Sequence, residues 1–209
     1  MIGYYTERPP RFVNRKGDGH MAQPAARPLR ADAARNRARV LEVAYDTFAA
    51  EGLSVPIDEI ARRAGVGAGT VYRHFPTKEA LFQAVIHDRM QHLVDDGYAL
   101  LKSDGPGEAL FSFLRSMVLR WGATDRGLVD ALAGLGIDIA SVAPDAEDAF
   151  LAALGDLLHA AQEAGTARRD VGVREVKSIL VGCQAMEAYN SELANRVIEV
   201  VVDGLRAGR

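Results

Sequence analysis

The stretch Ile57-Asp58-Glu59-Ile60-Ala61-Arg62-Arg63-Ala64-Gly65-Val66-Gly67-Ala68-Gly69-Thr70-Val71-Tyr72-Arg73-His74-Phe75 reads as two short helices packed around a glycine turn. Ile57, Ile60 and Ala61 recur at helical spacing and mark one apolar face. Gly65 stands where a helix stops on a left-handed residue, and Val66 and Val71 supply the partner face. Ala61 is small, as a second helix crossing close above it requires. The spacing predicts a helix-turn-helix whose second helix covers residues 68–74.

Working outward, Asp32 is placed to cap a first helix in which Val40, Leu41, Ala44 and Phe48 recur at three- and four-residue steps until Gly52. Arg35, Arg37 and Arg39 cluster in its first turns, either as phosphate contacts or as a solvated basic face. Thr77 caps a fourth helix carrying Leu81, Phe82, Val85, Ile86, Leu93 and Val94 as far as about Leu101, before the break Ser103-Asp104-Gly105-Pro106-Gly107. Further helices are predicted near 107–121, 125–140, 146–164, 173–189 and 191–206, with breaks at Gly122, Pro144, Gly165 to Gly172 and around Asn190. No strand alternation competes. The predicted fold is all-α: an N-terminal three-helix helix-turn-helix domain followed by a C-terminal helical bundle. The expected divisions are a flexible arm or non-native start over 1–31, the helix-turn-helix domain over 32–76, a connecting helix over 77–101 and a second domain over 102–209.

The arm is expected because Met1 to Arg30 contains Pro9, Pro10, Pro24 and Pro28 and lacks a sustained apolar period. Met21 is an alternative start, and Arg27 and Arg30 are alternatively a basic tail for the minor groove. At 48% hydrophobic content the chain can build a full core, and no apolar run approaches the roughly 20 residues of a membrane span. No secretory signal is read, and a cytoplasmic location without membrane partners is expected. The net charge of −3 is unevenly divided. Residues 1–80 hold 13 Lys and Arg against 9 Asp and Glu, a surplus of +4; the remainder holds 12 against 19, or −7. A basic front and an acidic remainder suit a chain that offers only one end to phosphates, although solvated surface charge explains the same split.

The shared pattern Ile60-Ala61, Ala64-Gly65-Val66, Gly69-Thr70-Val71-Tyr72, His74-Phe75 and Lys78-Glu79-Ala80-Leu81 resembles the DNA-binding domain of the tetracycline-repressor (TetR) family of bacterial regulators. The resemblance implies that Thr70, Tyr72 and His74 hold the DNA backbone while Ala68, Gly69 and Arg73 approach base edges. The side-chain chemistry agrees. Hydroxyl and phenol groups donate to phosphate without selecting sequence, whereas an arginine pairs bidentately with guanine O6 and N7. Gly69 lets the backbone come close to the groove, and Lys78 reaches a phosphate from the next helix. Tyr72 and His74 are alternatively packing residues with polar tips. Where many family members place Ser or Thr as caps, this chain has Pro56 and Gly67, both tolerable at a helix start.

The resemblance also implies that the C-terminal bundle binds a small-molecule effector and dimerises, without naming the ligand. Phe111, Met117, Trp121, Phe150 and Met186 are candidates for an apolar pocket or are ordinary core. Val176, Ile179, Leu180, Cys183, Met186, Val197, Ile198, Val200, Val201 and Leu205 exceed what one helical pair buries, so the last two helices are expected to pair with a second copy. A plain monomer core is the alternative. The partners expected are a near-palindromic DNA operator, a homodimeric copy and an effector. A ligand-independent DNA-binding or protein-interaction factor on the same scaffold is the rival reading. No P-loop, dinucleotide fingerprint, zinc quartet or catalytic triad is legible, so neither an enzyme nor a cofactor is expected. Asp88 and His92, at i, i+4, are too few to hold a metal, and the only cysteine, Cys183, reads as a buried small hydrophobe.

Overall fold

The computed structural model describes residues 27–121 and 142–208. The described residues form an all-α fold, with strand-like pairing confined to one isolated bridge between Ala167 and Arg206. Helix α1 spans Arg27–Glu51, α2 Ile57–Arg63, α3 Ala68–His74 and α4 Lys78–Ser103. Helix α5, Ala109–Ser116, continues as a π-helical turn over Met117–Trp121. Helix α6 spans Pro144–Glu163, α7 Val173–Tyr189 and α8 Ala194–Leu205, the last two joined by a 3₁₀ turn at Ser191–Leu193.

Two predicted boundaries move. Helix α1 begins at Arg27, so Asp32 is not its cap but an acid inside the helix paired with the Arg35 guanidinium. Pro28 falls in the first turn, where its missing N–H has no helical partner to lose. The expected arm thus yields residues 27–31 to α1, and its remainder lies outside the described residues. Pro144 does not break a helix but begins one, for the same reason. The helix expected over 125–140 lies outside the described residues.

In the head, α2 ends on a glycine that must be left-handed. Gly65 adopts φ +64°, which lets its N–H bond the Arg62 carbonyl at 3.2 Å while the Val66 N–H bonds that of Ala61 at 3.0 Å. These two bonds satisfy carbonyls that the helix end would otherwise leave unpaired and turn the chain into α3. Pro56 and Gly67 start α2 and α3 in extended conformation without side-chain caps, whereas Thr77 Oγ1 accepts from the Ala80 N–H at 3.1 Å to start α4. Phe48, Ile60, Ala61 and Val71 are buried between the three head helices. Phe48 also meets Phe82 of α4 edge-on, with ring centroids 5.7 Å apart.

Helix α4 leaves the head and packs mainly on α6 and α5. Gly97 sits at this crossing: a β-carbon there would lie 3.3 Å from Leu157 and 3.6 Å from Phe113. Glycine therefore sets how closely the connector approaches the bundle. One residue on, the Tyr98 hydroxyl donates to Asp156 at 2.7 Å. Far from the head, the Thr166 hydroxyl donates to the Gly107 carbonyl at 2.7 Å, and the Ala207 N–H donates to the Thr166 carbonyl at 2.9 Å. Arg206 pairs with Glu108 at 2.7 and 2.9 Å and lies 4.1 Å from the centre of the Phe111 ring. The start of α5, the loop after α6 and the end of α8 are thereby tied together. Head and bundle share one continuous apolar core.

Candidate nucleic-acid interface

Helix α3 is seated by Val71, which is 1% exposed. Gly69, Tyr72 and Arg73, at i, i+3 and i+4, share the opposite, outward face. Tyr72 is 43% exposed, a large aromatic surface for a residue whose own fold does not bury it. His74 is also exposed and lies against Phe75, with ring centroids 6.1 Å apart. Thr70 and Ala68 are half-buried at the flanks, and Ala68 packs partly on the core, so only part of its methyl faces outward. A β-carbon at Gly69 would meet nothing within 4 Å. Nothing in the described residues therefore requires a glycine there, although glycine lowers helix stability by roughly 1 kcal/mol relative to alanine.

Arg73 is folded along its own helix. Its Nε donates to the Gly69 carbonyl at 3.1 Å and its Nη2 to Thr70 Oγ1 at 3.2 Å. Of the other cations expected at the interface, Arg35 is paired with Asp32, Arg37 lies 5.7 Å from the centre of the Phe75 ring, and Arg39 is exposed. Lys78, half-buried, is the first residue of α4.

The head is braced by a network that the sequence reading does not single out. Glu59 accepts from Arg62 at 2.7 and 2.8 Å and from Arg63 at 2.8 Å, and Arg63 also bonds Glu51 at the end of α1. The two guanidiniums hold the Glu59 carboxyl down to about 2, far below the ordinary carboxylate range. The i, i+3 and i, i+4 spacing of Glu59 with Arg62 and Arg63 is the visible signal for this brace; the pairing of Arg37 with Phe75 has no local signal.

In the bundle, several expected contacts turn inward. Val176 is 0% exposed, Cys183 1%, Leu180 3% and Leu205 3%, and Ile198 is equally buried. These side chains are spent within their own chain and have no surface for a partner. Ile179, Val197 and Val201 are half-buried on the flanks. The large apolar side chains exposed on α7, α8 and their junction are Val181, Met186, Tyr189, Leu193 and Val200; Met186 and Val200 belong to the expected set, and Tyr189 is 92% exposed. Met186 is likewise corrected as a pocket residue, because it points to the surface at 45% exposure. Phe111, Met117 and Phe150 are closely packed core, and the side chain of Trp121 lies outside the described residues. An open cleft of 360 Å³ lies elsewhere, between Ala80, Gln83, Ala84 and His87 of α4 and the residues from Val142 to Ala146, which lead into the first turn of α6.

The described residues thus join a helix-turn-helix head to a helical bundle through one long connector. The family model for bacterial regulatory proteins of the tetR family matches residues 40–85, and that for the SbtR-like transcriptional regulator C-terminal domain matches residues 105–207. A TetR transcription regulatory protein from Mycobacterium vanbaalenii is 63% identical, with a TM-score of 0.72 over 86% of this chain and 100% of that one. The TetR transcriptional regulator SCO0520 from Streptomyces coelicolor is 33% identical, with a TM-score of 0.68 over 83% of this chain and 99% of that one. The HTH-type transcriptional regulator SrpR of Pseudomonas putida is 42% identical over 69 residues, 32% of this chain and 32% of that protein, so the match spans about a third of this curated relative. The chain belongs to the TetR family of bacterial transcriptional regulators.

Proposed function

We propose that this regulator is a homodimeric repressor that grips a near-palindromic operator through α3 and is released from it by a small-molecule effector. The observation that carries the DNA reading is the outward face of α3, where Gly69, Tyr72 and Arg73 stand opposite the buried Val71. Arg73 reads a base edge, Thr70, Tyr72 and His74 hold the backbone, and Lys78 with the exposed arginines of α1 adds sequence-independent attraction. Two copies are needed because one recognition helix covers only a few base pairs, whereas two held ~34–36 Å apart enter successive major grooves. The exposed apolar side chains Val181, Met186, Tyr189, Leu193 and Val200 support pairing through α7 and α8.

Regulation in this reading runs through α4, the element shared by head and bundle. An effector lodged against α4 favours a dimer whose heads are wrongly spaced, and a 100-fold preference for that form supplies ~2.7 kcal/mol. The test is operator binding at several salt concentrations with and without fractions of small-molecule extract. A logarithmic plot of affinity against salt should be steep for the native protein. Lys78→Ala should flatten its slope by about 1 while leaving base preference intact. A native slope near zero would overturn the DNA reading, and an affinity that no fraction alters would overturn the effector reading.

Gly69→Ala separates folding from recognition. Alanine adds helix propensity and meets no neighbour, so stability should hold or rise, by up to about 1 kcal/mol, with the melting temperature unchanged or higher. Operator affinity should fall nonetheless, because the new methyl stands where DNA must approach. Unchanged affinity would show that Gly69 lies outside the contact.

A further inference from the structure

The guanidinium of an arginine has two usable edges: Nε with Nη2 at its side, and Nη1 with Nη2 at its end. In Arg73 the side edge is taken by the helix itself, with Nε on the Gly69 carbonyl and Nη2 on Thr70 Oγ1. Arg73 is exposed, and its end edge has no partner among the described residues. Two parallel N–H donors on that edge match guanine O6 and N7, and neither adenine nor a pyrimidine offers the same pair of acceptors in the major groove.

Thr70 is suited to fix this pose. It is half-buried beside Val71, so its position is set by the head rather than by solvent. A side chain as long as arginine otherwise loses much rotamer freedom when it docks, and holding it beforehand reduces that loss. We infer that Thr70 is a positioning residue for Arg73, presenting the end edge of its guanidinium so that each half-site is read at a guanine. This rests on the reading that α3 enters the groove. It gives Thr70 a part in sequence choice beyond holding the backbone.

The experiment selects bound duplexes from a random pool with the native protein, Arg73→Ala, Thr70→Val and Thr70→Ser, then measures affinity for the selected site and for the same site with its guanine replaced. The native protein should select a guanine at one position of each half-site, with a discrimination of roughly 5- to 150-fold. Arg73→Ala should erase that preference. Thr70→Val, which keeps the shape and removes the hydroxyl, should reduce it by about 2- to 12-fold, the worth of one hydrogen bond. Thr70→Ser should restore it. Combined with Arg73→Ala, Thr70→Val should cause no further loss of discrimination.

A Thr70→Val protein that binds every sequence more weakly but keeps the native guanine preference overturns the inference and leaves Thr70 as a phosphate contact. Failure of the native protein to retain duplex DNA overturns the groove reading and the inference with it. Native selection of a motif without guanine overturns the inference alone. If Thr70→Val lowers the melting temperature, Thr70→Ser and Arg73→Ala still decide: a serine variant that folds as the native protein does but loses the preference overturns the role of the hydroxyl.

Discussion

Phe48→Ala is expected to abolish operator binding by unfolding the head. Phe48 is 0% exposed and touches Phe82 across the α1–α4 contact, so alanine leaves a cavity in a site enclosed on all sides. Such truncations cost about 3–5 kcal/mol, a large part of the roughly 5–15 kcal/mol that stabilises a whole domain. Urea unfolding should show the loss directly, and gel retardation should show binding lost at temperatures where the native protein still binds. Because the apolar core runs unbroken from head to bundle, the loss should also lower the midpoint followed through the bundle's own signals. A variant that unfolds within about 1 kcal/mol of the native protein would show that the site collapses around the gap.

Val200→Glu should have the opposite signature: a stable subunit that no longer pairs. Val200 is 66% exposed on α8, so a carboxylate there meets water in the isolated subunit, and stability should change by no more than about 0.5 kcal/mol. In a dimer formed through the exposed side chains of Val181, Met186, Tyr189, Leu193 and Val200, the same carboxylate is buried against apolar side chains of a second copy. An unpaired buried charge costs several kcal/mol. Sedimentation should therefore find a dimer for the native protein and a single subunit for the variant. Affinity for a full palindrome should fall by roughly 10²–10⁴, the gain that linking two weak sites provides, while affinity for an isolated half-site should not change. A variant that still sediments as a dimer would place the interface elsewhere.

These two residues also mark where the sequence is readable and where it is not. Phe48 belongs to a head whose helices have one apolar face each, so periodicity alone separates inside from outside. Local chemistry fixes its turns, with Gly65 forced to positive φ and Thr77 accepting from Ala80. Helix α7 has apolar residues on two faces. Val176, Leu180 and Cys183 lie on one and Val181 on the other, with Met186 at the border one turn from Cys183, and periodicity cannot say which face the chain's own bundle takes. The bundle takes the first, leaving the second outward. Prolines mislead for a related reason: Pro28 reads as part of an arm and Pro144 as a break, but in a first turn both are compatible with the helix that follows. The outward face of α3 is legible as a list of residue types. The pose of Arg73 is not, because it depends on where a carbonyl and a hydroxyl one turn earlier point.

The contact between Phe48 and Phe82 has a bearing on modular exchange of reading heads among relatives. A graft spliced at Pro76 would carry Phe48 into a chimera without the helix segment that closes over it, and Phe82, Val85 and Ile86 would face a foreign surface. A seam that keeps this contact lies farther along α4, between Arg89, which is still 5.1 Å from the centre of the Tyr45 ring of α1, and Gly97, which meets Leu157 and Phe113 of the bundle.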